Sequence, residues 1–153
     1  MHFEGTVDID APRDRVWAFL IDPNQVGPCG PGVETIEIVD EAHFKARAKV
    51  GVGFISARFA IDMAMDDLRA PDAAVIKAHG QAPGSAIDAT ATMNLTGAPE
   101  GPTTMTWQAD VNIAGTLASV GARLIEGTAH LMIGQTFDCI RAKLEAPVDA
   151  GVA

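Results

Sequence analysis

From Gly115 to Glu145 the chain runs GTLASVGARLIEGTAHLMIGQTFDCIRAKLE, without a proline. The stretch is rich in Leu, Ala, Glu, Lys and Arg, which are good helix formers. At about 1.5 Å per residue, some thirty residues make a helix of roughly 45 Å. The mean globular helix has only about three turns. A rod of this length needs one large surface to lie on. Apart from one short helix near the start, everything before it reads as β. The predicted architecture is a curved antiparallel sheet gripping a C-terminal helix.

The apolar stripe of this helix drifts. Leu117, Val120, Leu124 and Leu131 cluster on one side of the first half. Ile133, Phe137, Ile140 and Leu144 cluster well round the helix in the second half, and Ile125, Ala129, Met132 and Thr136 join the two groups. Such a drift fits a diagonal crossing of a twisted sheet. A kink at Gly134 is the alternative. Arg123, Glu126 and His130 mark the wet face early on, and Asp138, Arg141 and Glu145 mark it later.

Phe3, Gly5, Val7 and Ile9 alternate with Glu4, Thr6, Asp8 and Asp10, as in a strand with one buried face. Asp10 is placed to cap the next helix, with Pro12 in its first turn. Val16, Trp17, Phe19 and Leu20 give that helix its apolar side, and Asp22 and Pro23 end it. A Gly- and Pro-rich loop follows, and Ile36 and Ile38 open the next strand. Phe44, Ala46, Ala48, Val50 and Val52 then share a face, opposite Lys45, Arg47 and Lys49. The inward parity flips at Gly51 and Gly53 to Ile55, Ala57, Phe59, Ile61, Met63 and Met65, which marks a hairpin. A turn is read at Ala70, Pro71 and Asp72, and three more strands run through Val75–Gln81, Ile87–Leu95 and Met105–Ile113. The order is β, short helix, loop, about six strands, long helix: an α+β, helix-grip fold. A single domain over 1–146 and a short disordered tail over 147–153 are expected.

A net charge of −9 argues against nucleic acid, whose phosphates require an excess of Lys and Arg. It argues equally against electrostatic docking on anionic lipid. No apolar run approaches the length of a membrane span, and the alternating, acidic start is not a signal peptide. Cys29 and Cys139 are far apart in sequence and are read as free thiols in a reducing cytoplasm.

The inward face is built of small side chains. Alanine recurs at 46, 48, 57, 89, 91 and 109, and the helix adds Gly121, Gly127, Ala129 and Gly134. Two alternatives follow. Either helix and sheet approach closely, or an apolar pocket is left between them. An empty pocket of a few hundred Å3 would cost several kcal/mol at about 24 cal/mol per Å3, so it would hold a guest. Methionines adapt to guests of varied shape. The residues expected at such a site are Phe59, Met63, Met65, Ala89, Met93, Met105, Trp107, Leu124 and Met132.

No catalytic or metal-binding constellation is visible. HExxH, CxxC and clustered metal ligands are absent, and His2, His43, His79 and His130 are scattered surface residues. Arg58, Asp62 and Asp66 form a solvated strand face. Asp110 and Glu126 would serve as a general base only if turned inward, whereas their phase points them outward. Cys29 sits in a loop at the expected pocket mouth with no neighbouring base in sequence.

Four stretches carry a resemblance to a known family. APRDRVWAFLIDP resembles the first strand-to-helix passage of the carbon monoxide dehydrogenase G-subunit proteins, within the START-like (Bet v 1-like, SRPBCC) superfamily. CGPGVETIE is similar to their CLPGVE loop, with Gly30 in place of leucine. KVGVGFISARF is similar to KVGLGPIKARF, and GTLASVGARLIEG followed by QTF to GRLAQLGSRLIEG and its continuation. The resemblance implies a non-catalytic accessory of a molybdenum-containing CO dehydrogenase or related hydroxylase. It implies a hydrophobic, quinone-like or lipid-like ligand, and no metal or other cofactor. A cytoplasmic protein is expected, with peripheral contact at the inner face of the cell membrane as a further expectation. The alternatives are a polyketide cyclase or aromatase of the same superfamily, and a structural adaptor without ligand.

Overall fold

The computed structural model describes residues 1–70 and 72–146. Pro71, in the expected turn, and the expected tail over 147–153 lie outside the described residues. Seven strands form one antiparallel sheet in the order β1-β7-β6-β5-β4-β3-β2. They are β1 (His2–Ile9), β2 (Val33–Ile38), β3 (His43–Val52), β4 (Ile55–Arg69), β5 (Ala73–Ala82), β6 (Ser85–Gly97) and β7 (Thr103–Gly115). Consecutive strands from β2 to β7 pair with their chain neighbours, and β1 returns to pair with β7. The helices are α1 (Arg13–Leu20), the four-residue α2 (Pro23–Val26) and α3 (Ala122–Glu145). This is the α+β helix-grip arrangement.

Alternation along the strands does the sorting. In β3, Phe44, Ala46, Ala48 and Val52 are buried while Lys45, Arg47 and Lys49 are exposed. The parity flip between β3 and β4 is a tight turn, with Gly53 at φ +61. Asp10 does not cap α1. Pro12 occupies the capping position with no side-chain hydrogen bond, and the Asp10 backbone N–H instead donates to Glu145 Oε2 at 3.0 Å. A side-chain cap needs an oxygen next to the first helical residue, and neither Ala11 nor Pro12 carries one. Asp22 caps α2, accepting from the Asn24 backbone N–H at 3.0 Å.

The rod is shorter than expected. β7 runs on to Gly115, a 3-10 segment covers Thr116–Val120, and α3 begins only at Ala122. Gly115 (φ +86) and Gly121 (φ +98) mark the two breaks, in backbone conformations that side chains with a Cβ resist. The segment between them is tied to the β5–β6 turn. Thr116 N–H donates to Gly84 O at 2.8 Å, Leu117 N–H donates to Ser85 Oγ at 3.0 Å, and Leu117 is buried. The remaining 24 residues are one uninterrupted helix through Gly134, about 36 Å long.

Its buried residues are Ile125 from the joining strip and Ile140 and Leu144 from the second-half group, while Ala129, Met132 and Thr136 are half-buried. Leu124 and Leu131, expected inward, are 42% and 62% exposed. Gly127 and Gly134 face open space, so neither thins the wall between helix and sheet.

Two substitutions separate these glycines. Gly121→Ala is expected to lower stability by about 1–3 kcal/mol, because its backbone lies where Ala is strained. Gly134→Ala is expected to raise it by about 0.5–1 kcal/mol through helix propensity alone. Thermal unfolding of both variants checks this, at about 2–4 °C per kcal/mol.

Candidate functional site

Two packed clusters hold α3 against the sheet, one at each end. At the C-terminal end, Ile140 and Leu144 pack with Ile9, Val16, Trp17, Leu20, Leu95 and Met105. At the other, Ile125 and Leu117 pack with Val52 and Phe59. Between the clusters a cavity of about 500 Å3 remains.

The sheet wall is built in cross-strand rows. Ile61, Ile87 and Ile113 contribute at one level. Ala89 and Val111 face each other at the next, and Ala109 and Phe3 at a third. Trp107 closes the floor, its ring 5.3 Å from that of Phe137 on α3. Gly5 lies opposite Trp107 in the ladder, and a Cβ there would meet the indole at 3.1 Å. The glycine lets the indole lie over β1. The helix wall is Ile125, Thr128, Ala129, Met132, Ile133, Thr136 and Phe137. A third wall comes from Gly30, Pro31 and Val33, just after a 3-10 turn at Gly27–Cys29.

Among the described residues no ionisable side chain lines this space. Besides the indole N–H of Trp107, the side-chain polar groups in its lining are the hydroxyls of Thr128 and Thr136, and Thr136 Oγ1 already donates to Met132 O at 2.8 Å. The Met1 ammonium is tied to Val111 O at 2.8 Å. Such a lining gives water few of the two to four polar partners it needs. It suits an apolar guest. Asp110 faces the opposite side of the sheet, its carboxylate 2.8 Å from His2 Nδ1, and Glu126 is exposed. Asp40 is held below the usual carboxylate range, chiefly by the hydrogen bond from the His43 ring, but it lies in the exposed β2–β3 turn. Among the described residues no group of His, Cys, Asp and Glu has metal-binding geometry.

Of the nine residues expected at the site, Ala89, Trp107 and Met132 line the cavity. Met93 and Met105 fill the cluster beneath α1, and Phe59 fills the one at the hairpin end. Met65 is buried and Met63 half-buried, both outside the cavity lining. Leu124 is on the outer side of α3. Strand alternation gives the face of the sheet but not the height along it. The sequence places this loop at the pocket mouth through Cys29, but it does not single out Gly30 and Pro31 as lining; their signal is the Gly- and Pro-rich composition between Asp22 and Glu34.

The cysteines depart from expectation as well. Cys29 and Cys139 form a disulfide, with Cα atoms 5.4 Å apart. They are not the free thiols expected from their distance in sequence. The fold brings the 3-10 turn against the last turns of α3, across 110 residues of chain. The bond fastens the loop wall to the helix wall.

The class this defines is a START-like helix-grip protein with an apolar cavity under its long helix. The chain matches the family model of the carbon monoxide dehydrogenase G subunit (CoxG) over residues 5–145, and it belongs to that family. No curated protein matches its sequence. Among solved structures it is similar to a conserved protein from Geobacillus kaustophilus, at 21% identity over 95% of each chain, with a TM-score of 0.87. It is similar to the Zhui aromatase/cyclase from Streptomyces sp. R1128 at 19% identity, over 99% of this chain and 97% of that one, with a TM-score of 0.68. A START superfamily protein from Mycobacterium smegmatis gives 13% identity, over 94% and 97%, and a TM-score of 0.69. At these identities the likeness speaks for the fold.

Closing a loop of this length restricts the unfolded chain, and replacing both cysteines with serine is expected to cost about 3–5 kcal/mol. Denaturant unfolding measures it. Thiol alkylation of the denatured protein should label both positions only after reduction.

Proposed function

We propose that this protein binds a hydrophobic small molecule, quinone-like or lipid-like, between sheet and α3. In this reading it is a non-catalytic accessory of a molybdenum CO dehydrogenase or related hydroxylase. It acts with peripheral contact at the membrane, delivering an electron acceptor or recruiting the enzyme. The observation that carries the reading is the cavity of about 500 Å3 whose lining, among the described residues, holds no charged side chain. That volume is typical of small-molecule sites. Leaving its apolar walls bare or wet carries a cost, because they give water few polar partners. A guest that fills it removes that cost. Family membership supports the accessory role.

A cyclase or aromatase reading fits one of the structural neighbours. Such chemistry needs a group that moves a proton at the substrate. Two threonine hydroxyls and an indole N–H do not supply one, so this reading ranks second. An adaptor without ligand would have its helix flush on the sheet, and here the two stand apart.

The test is uptake of a short-chain ubiquinone or menaquinone analogue, followed by native mass spectrometry and tryptophan fluorescence. The expected result is one equivalent bound and quenching of Trp107. Ala109→Phe should occupy the cavity and abolish uptake while the protein stays folded. A wild-type protein that is recovered empty and takes up neither quinone nor lipid would sink the proposal.

A further inference from the structure

The side chain most at odds with solvent is Phe54. It sits at the tip of the β3–β4 hairpin and is 92% exposed. Beside it, the Gly53 turn packs against Leu124 of α3, which is itself 42% exposed. Leu131 follows two turns along the helix at 62%. Val52, one residue before the turn, lines the cavity. The exposed apolar edge therefore adjoins the cavity wall.

The arm behind this tip carries a charge opposite to that of the molecule. Residues 43–60 hold four of the eleven Lys and Arg and none of the twenty Asp and Glu. These are Lys45, Arg47, Lys49 and Arg58, all exposed on the outer face of the hairpin. Arg58 pairs with Glu34 at 3.0 Å, and Lys45 approaches Asp62 at 3.9 Å. Arg47 and Lys49 have no ion pair among the described residues. Lys49 lies opposite Arg58 in the ladder, so two like charges stand side by side. That juxtaposition is unfavourable in solution and is relieved by an anion.

We infer that this hairpin is a docking arm for an anionic lipid surface, with Phe54 entering the headgroup–acyl boundary and Arg47, Lys49 and Arg58 meeting the headgroups. The dimensions agree. Lys49 is three residues from the end of its strand, or about 10 Å along it. An interfacial apolar side chain reaches about 5–10 Å into the boundary. The inference rests on the membrane contact in the proposed function and gives it a location. An apolar guest would then leave the bilayer beside the cavity wall rather than cross water.

Flotation of the full chain with vesicles tests it. Phosphatidylcholine vesicles are compared with vesicles containing about 30% phosphatidylglycerol, at about 50 mM and 500 mM salt, bracketing weak and strong screening. The expected result is binding to the anionic vesicles at low salt and loss at high salt. Phe54→Ser should reduce partitioning about tenfold or more, as expected for exposing one aromatic side chain. Arg47→Gln and Lys49→Gln should each reduce it about fivefold. Lys143→Gln, at the far end of α3, should change it little. All these positions are exposed, and circular dichroism checks that the variants fold. A protein that stays off anionic vesicles, or a Phe54→Ser variant that floats like wild type, overturns the inference. So does salt-sensitive capture of the hydroxylase that needs Phe54 while vesicles are ignored, which would assign the arm to an acidic protein face. Quinone uptake of Phe54→Ser in lipid-free solution keeps the two readings apart. Retained uptake with lost flotation is the expected pattern. Flotation of a wild type that takes up no ligand would leave the arm standing and remove the carrier role.

Discussion

The structure depends on α3 being seated on packed clusters at its two ends, with the His130 ring edge-on to Phe3 beside the cavity between them. One end is seated by Ile140 and Leu144 against Ile9, Val16 and Trp17. The disulfide and the Glu145 carboxylate on the Asp10 N–H add further ties there. The other end is seated by Ile125 and Leu117 against Val52 and Phe59. These anchors fix the distance between rod and sheet. In the span between them the facing side chains include Ala48, Ala89, Ala109 and Ala129, too short to fill it. Burial at the anchors, at roughly 1.5–3 kcal/mol for each large side chain, offsets the contacts forgone in the gap. A helix packed evenly along its length would gain more dispersion energy and hold nothing.

Most of this frame was legible in the sequence, because alternation and proline-free length are direct consequences of geometry. The order of elements along the chain, the β3–β4 reversal at Gly53 and the sheet-plus-helix layout all follow from them. What failed shares one cause: a one-dimensional pattern carries no height and no distance. Met93 and Ala89 share a strand and a face, yet one is packed beneath α1 and the other lines the cavity. Cys29 and Cys139 give no local sign of meeting. Gly121 reads in sequence as one more small helical residue, whereas its left-handed backbone sets where α3 starts. Starting α3 at Ala122 then leaves Leu124 on the outer phase.

Net charge is a similar case. A total of −9 describes the molecule as seen from beyond a Debye length, about 10 Å at 0.1 M salt. Within that distance the arrangement matters more than the sum. The acidic residues spread over the rest of the chain, while one hairpin collects positive charge and ends in a bare aromatic ring. The repulsion of the whole from an anionic surface and the attraction of the arm to it then favour one orientation, tip first.

The lining also bears on what a guest can undergo. Reducing a quinone to its quinol takes up protons together with electrons. Among the described residues no ionisable side chain borders the cavity to deliver them, and its walls offer water few partners. Within the cavity a quinone would be stabilised as a neutral molecule, since an anionic semiquinone would meet a low dielectric with no compensating side-chain charge. The proposed site would therefore hold such a ring without changing it. Conversion would have to occur where the guest leaves the cavity, against a partner that supplies both the electrons and the protons. A carrier is useful for that reason: its interior is inert toward what it carries, and the chemistry is left to the surface it meets.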